Sequence, residues 1–130
     1  MHELPIKPLS VNKAYRGRRF STDEHKKFKD MASIRLKKMD LPKLKPKEKF
    51  YMIYIFFVSG TSDADNFIKT AQDSICAALG TDDRYVESLY CRKVKCKKGS
   101  EKIFFDIFTN EYDQLRSIQD MHPRYDPSPI

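Results

Sequence analysis

Nine consecutive residues, Phe50-Tyr51-Met52-Ile53-Tyr54-Ile55-Phe56-Phe57-Val58, are apolar or aromatic without a break. In an extended chain successive side chains point to opposite sides. Phe50, Met52, Tyr54, Phe56 and Val58 therefore share one face, and Tyr51, Ile53, Ile55 and Phe57 share the other. A strand with two apolar faces belongs in the middle of a sheet, covered on both sides. The run falls far short of the roughly 20 residues that span a bilayer. Whatever else the chain does, it has to be built in layers around Phe50–Ser59.

The flanking patterns supply those layers. Leu4 to Leu9 reads as a short edge strand, because Pro5 and Pro8 lack ladder donors. Ser21-Thr22-Asp23-Glu24 reads as a capping box with Ser21 as the cap, opening a helix to about Met39. Phe28, Met31, Ala32, Leu36 and Met39 give that helix one apolar stripe. Asp65 to Leu79 reads as a second helix with Ile68, Ala71, Ile75, Ala78 and Leu79 inward, and Gly80 takes its left-handed C-terminal cap. Tyr85–Lys95 and Lys102–Thr109 read as a hairpin through Lys97-Lys98-Gly99-Ser100. A short helix follows from Glu111 to about Met121, and a Pro-rich tail runs from His122 to Ile130. The expected fold is α+β, α/β layered: a mixed sheet of about four strands flanked by two main helices, in the order β-α-β-α-β-β. Residues 1–110 form the domain and 111–130 an extension. Two main helices leave one face of the central strand short of cover, which points to a partner subunit.

The 130-residue chain supports one core. Its net charge of +7 and pI near 9.3 favour a polyanionic partner. Cys76, Cys91 and Cys96 follow neither a disulfide nor a zinc spacing, and read as ordinary thiols of a reducing compartment. Met1–Pro5 lacks the charged and apolar regions of a signal peptide. A cytoplasmic protein with no membrane partner and no small-molecule substrate is expected.

Against that basic background the acids are clustered. Asp63-Ala64-Asp65-Asn66-Phe67-Ile68-Lys69 opens the second helix, and Asp82-Asp83 follows its end. Asp63 and Asp65 turn to one side of the segment entering the helix. Lys69 lies four residues beyond Asp65, on the same helical face, and Asp73 continues the row. Each piece has a structural use as a cap, an ion pair or a turn. Together they supply the oxygen ligands that Mg²⁺ prefers, beside a lysine able to meet a phosphate.

These residues resemble a known family. D-x-D-N-x-x-K opening a helix, then D-D, then a hairpin, is similar to the pattern of the RusA-type Holliday-junction resolvases. Asp82-Asp83 is followed by Val86 at the family's offset, and Pro8-Leu9-Ser10-Val11-Asn12 with Tyr15-Arg16 resembles its opening segment, Leu9 standing for a second proline. The resemblance covers roughly residues 4–109. It implies a homodimer that binds branched DNA and cuts four-way junctions by paired symmetric nicks, using Mg²⁺ with Mn²⁺ as a substitute, in a bacterial or phage-infected cell. It implies Asp63, Asp65 and Asp83 as metal-binding acids and Lys69 as the catalytic lysine, with Asn66 in the motif. Arg16, Arg18, Arg19, Lys93, Lys95, Lys97 and Lys98 are the expected phosphate contacts. Two other readings stand beside it: a basic DNA-binding module whose acids are structural, and the same chemistry on flaps, forks or RNA.

Overall fold

A computed structural model describes residues 1–16 and 20–122, Arg16 and Phe20 by backbone alone. The strands are β1 (His2–Leu4), β2 (Tyr15–Arg16), β3 (Phe20–Ser21), β4 (Phe50–Val58), β5 (Val86–Lys95) and β6 (Lys102–Phe108). The helices are α1 (Val11–Ala14), α2 (Asp23–Leu36), α3 (Ile68–Leu79) and α4 (Glu111–Met121). The fold is α+β, with a four-stranded mixed sheet in the order β1-β6-β4-β5 and a small β2-β3 ladder beside it. Among the described residues, no helix is long and apolar enough to cross a membrane.

β4 occupies the interior position its composition demands. It pairs with β5 in parallel and with β6 antiparallel. Phe50, Met52, Ile53, Tyr54 and Phe56 are fully buried. On one face Phe50, Met52, Tyr54 and Phe56 meet Phe28, Ala32 and Leu36 of α2 and Ala71 and Ile75 of α3. The other face is covered in part by α4. Ile118 is buried, and the Gln114 side-chain nitrogen donates to the backbone oxygens of Met52 (3.0 Å) and Ser88 (3.3 Å). Those carbonyls lie beside a bulge, where the partners of Phe50 and Tyr51 jump from Val86 to Ser88. Beyond the reach of α4, Ile55, Phe57, Val94 and Phe104 stay half-buried.

Several elements differ from the sequence reading. β5 and β6 do not form a hairpin, because β4 inserts between them. A strand with two free ladder edges and two apolar faces gains more by pairing with both than they gain by pairing with each other. The parallel β4–β5 pair needs a crossover, and α3 supplies it. The edge strand is β1, His2–Leu4, rather than Leu4–Leu9: it stops just before Pro5, and residues 5–10 are not strand, though the edge position is as expected. Thr22, not Ser21, caps α2 by accepting from the backbone nitrogen of His25 at 3.2 Å. Ser21 is engaged in the β2-β3 ladder opposite Tyr15, which moves the cap one residue on. α2 stops at Leu36, and its last turn tightens into Lys38–Arg35 and Met39–Leu36 backbone bonds. Met39, past the helix end, is half-buried, and Met31 lies outside the stripe of Phe28, Ala32 and Leu36 and is exposed. On α3, Ala78 is exposed while Thr70, Gln72 and Ser74 are buried. Gly80 adopts φ 70°, the left-handed cap its position required. The Pro-rich tail beyond His122 lies outside the described residues.

Two outcomes follow from these contacts. Gln114→Met keeps the volume but strands two bulge carbonyls, and should cost about 1–3 kcal/mol in urea unfolding. His25 is buried, its Nδ1 beside the Ser21 hydroxyl at 2.9 Å. Burial, then the Lys29 charge, pushes its pKa below the ordinary 6.5, against an opposing pull from Asp73. Its contribution is present above 6.5 and is lost as pH falls through the lowered value. The melting temperature should drop on acidification through that window, and His25→Gln should flatten the drop.

Candidate functional site

The turn that carries the acids is held from below by its own aromatic residue. Phe67 is buried, with its ring 5.7 Å from that of Phe56 on β4. Thr70 donates its hydroxyl to the Leu9 carbonyl at 2.6 Å, which ties α3 to the Pro8-Leu9-Ser10 segment. Tyr54 donates to the Gln72 side-chain oxygen at 3.0 Å inside the core. These contacts fix one side of the 64–79 segment to the sheet and leave Asp63, Asp65 and Lys69 exposed on the other.

Asp63 stands where a capping residue would, yet its side chain makes no capping hydrogen bond. Residues Ala64–Phe67 form a turn of 3-10 helix before α3 begins. That turn has three residues per revolution rather than 3.6, so Asp65 is rotated away from the row that Lys69 occupies. The Asp65–Lys69 pairing read from spacing is replaced by another. The Lys69 ammonium lies 3.0 Å from an Asp73 oxygen and 3.3 Å from an Asp83 oxygen. The Asp73 hydrogen bond, assisted by Asp83, holds the Lys69 pKa above the ordinary 10.5 despite some desolvation. The contribution of the Lys69 proton is fully present below 10.5 and is lost as pH rises through the raised value.

Asp82 and Asp83 have different partners. Asp82 accepts from the Arg84 backbone nitrogen at 2.9 Å and pairs with the Arg84 guanidinium at 3.5 Å, and the backbone bond leads in lowering its pKa. Asp83 faces Lys69. Asp65 lies close enough to Cys91 to add to the burial that pushes this thiol up to about 11. Cys76, deeper, is pushed up to about 12 by burial first, so both thiols stay protonated and unreactive at neutral pH.

Lys93 is a positioning group. Its ammonium donates to the Ser62 carbonyl at 2.9 Å, holding the loop that carries Asp63. Lys95, Lys97 and Lys98 are exposed. The 96–101 loop is fastened to the end of β4 by Cys96 N to Val58 O at 2.9 Å and by the Ser59 hydroxyl to Glu101 at 2.9 Å. The basic loop and Asp63 thus gather where β4 ends, the end of a parallel strand at which α/β sheets bind ligands. Asn66 is half-buried in the turn. Arg18 and Arg19, and the Arg16 side chain, lie outside what the structure describes. Asp73, which spacing placed in the row but not among the ligands, belongs with Lys69 and Asp83.

For a divalent ion, the donor chemistry fits: exposed or half-buried carboxylates, with the thiol near Asp65, Cys91, held protonated by burial. Mg²⁺ uses one or two carboxylates, several waters and a substrate phosphate, rather than an all-protein cage. Among the described residues, no three His, Cys, Asp or Glu side chains lie close enough together to hold one ion by themselves. Asp73 and Asp83 are the acids drawn together, through Lys69. No protein-family model and no curated protein matches the chain.

A cation that binds these carboxylates only in the folded state should raise the melting temperature. At a hundred times its Kd, the gain is about 2.7 kcal/mol. Mg²⁺ should therefore stabilise the protein in a thermal melt, less so with Asp83→Asn. Lys69→Met, which removes the competing ammonium, should shift the Mg²⁺ titration to lower concentration.

Proposed function

We propose that the chain is a Mg²⁺-dependent, structure-specific endodeoxyribonuclease that resolves four-way DNA junctions as a homodimer, as its resemblance to the RusA-type resolvases implies. One observation carries the reading. The Lys69 ammonium meets Asp83, so the two halves of the D-x-D-N-x-x-K and D-D pattern come together across a whole helix. Lys93, Lys95, Lys97 and Lys98 add positive charge on the β4–β5 side of the sheet. The half-buried Phe57 and Phe104, with rings 5.5 Å apart, offer a face for a second subunit.

In this reading the ion would be held by one or two of Asp63, Asp65 and Asp83, the acids the resemblance implies, with waters and the substrate phosphate completing its shell, and would supply an activated water and charge stabilisation at the phosphate. Lys69 keeps its proton and acts as a fixed positive charge. Exposed lysines contact the backbone without reading bases, so shape rather than sequence selects the substrate.

The deciding assay is cleavage of a labelled four-way junction with Mg²⁺, beside a fork, a flap and a linear duplex of the same sequence. Paired nicks at the junction, abolished by Asp65→Asn with binding intact, are the expected result. Junction binding should weaken with salt at a log–log slope of roughly −0.9 per phosphate contacted. The Lys69–Asp73 and Lys69–Asp83 pairs favour a second reading, a DNA-binding module with structural acids. Binding without cleavage in every divalent metal would select it.

A further inference from the structure

A cavity of about 300 Å³ opens beside the acid-bearing loop, at the C-terminal end of β4. This is the lower end of the range, about 300–1,000 Å³, usual for small-ligand sites. Its wall includes Ser59, Gly60 and Ser62, and Ser62 adjoins Asp63 in the chain. Its apolar lining includes Leu9 and the rings of Phe28 and Phe67, all buried, with the exposed Met31 alongside. Lys7, Lys13 and Lys27 bring three cations to it. Of its two acids, Glu101 is already engaged by the Ser59 hydroxyl and the Gly99 backbone nitrogen. Ser10 is buried in the wall and accepts from the Lys13 backbone nitrogen at 3.4 Å, which keeps its hydroxyl proton available to a ligand acceptor.

An aromatic, apolar floor with lysines around it matches a flat heterocycle attached to a phosphate. We propose that this cavity receives one unstacked nucleobase of the DNA substrate, its phosphates lying along Lys7, Lys13 and Lys27. The inference rests on the nuclease reading and deepens it. A base seated here would bring the adjoining phosphodiester to the loop of Asp63, one residue from the cavity wall. At a branch point, bases are already partly unpaired, which lowers the cost of extrusion. The pocket would then favour branched over continuous duplex without reading sequence, since every base has a face to stack.

The test uses the full chain in EDTA, bound to a four-way junction with a single 5-iodo-2′-deoxyuridine at the branch point. After irradiation the cross-linked peptides are mapped. Adducts on Phe28 or Phe67 are expected. Met31→Trp, at an exposed position, should fill the cavity, abolish those adducts and weaken junction affinity by roughly five- to hundredfold, the contribution of one stacked base. Phe28→Ala is the less decisive variant because Phe28 also belongs to the core. Adducts confined to the 96–101 loop, with junction binding unchanged in Met31→Trp, would overturn the pocket while leaving the nuclease reading standing. Cavity adducts with no cleavage once Mg²⁺ is restored would uphold the pocket and overturn the nuclease reading. Failure to bind the junction at all would overturn both.

Discussion

Everything in this molecule answers to the need of β4 for two ladders and two covers. A strand apolar on both faces is stable only in the middle, so β5 and β6 must lie on either side of it. The parallel partner requires a long crossover, and that crossover is the acid-bearing turn with α3. The antiparallel partner requires the chain to pass over the end of β4, and that passage is the lysine-rich 96–101 loop. The site is thus a by-product of strand order. The connections that satisfy β4 deliver acids and cations to its neighbourhood.

Much of this was legible in the residues, and the failures have physical causes. The β4 run, the α3 pattern, the Gly80 cap and the short C-terminal helix all rest on local rules of period and capping. Strand pairing is not local. β5 and β6 follow one another through a Gly-Ser turn, and nothing in that turn reveals that β4 is the stronger partner for each. The Asp65–Lys69 spacing misled for a subtler reason. Four residues make a row only in an α-helix, and the turn at Asp65 is wound tighter. Lys93 is the exposed charge the sequence shows, but the Ser62 carbonyl it meets has no sequence signature. The cavity had no signature at all, since its walls come from the opening segment, α2, the end of β4 with the loop and turn after it, and Glu101 just before β6.

The second sheet face marks a further division of labour. α4 covers Ile53 and, through Gln114, satisfies carbonyls that the bulge leaves short of ladder partners. Toward the other end, Lys102 lies 5.2 Å and 5.3 Å from the centres of the Phe57 and Phe104 rings. A cation over two half-buried rings keeps that patch hydrated and makes the uncovered face tolerable in a free subunit. A partner covering the patch would have to accommodate that charge as well as the rings.

The ion pairs of the acid cluster are too exposed to contribute much to stability. Lys69, Asp73 and Asp83 are each at least about a third exposed, and such pairs contribute at most about 1 kcal/mol. A divalent cation that took over Asp83 would therefore lose little by displacing the lysine. The freed ammonium would remain on the same helical turn, on a stem long enough to reach toward a phosphate. Asp82 is turned the other way, toward Arg84, and does not meet the lysine. A buried Lys69–Asp83 pair would hold the fold more firmly and would resist the exchange. Weak, exposed pairing is what a lysine needs if it is to hold two carboxylates together until a cation and a phosphate arrive to take its place.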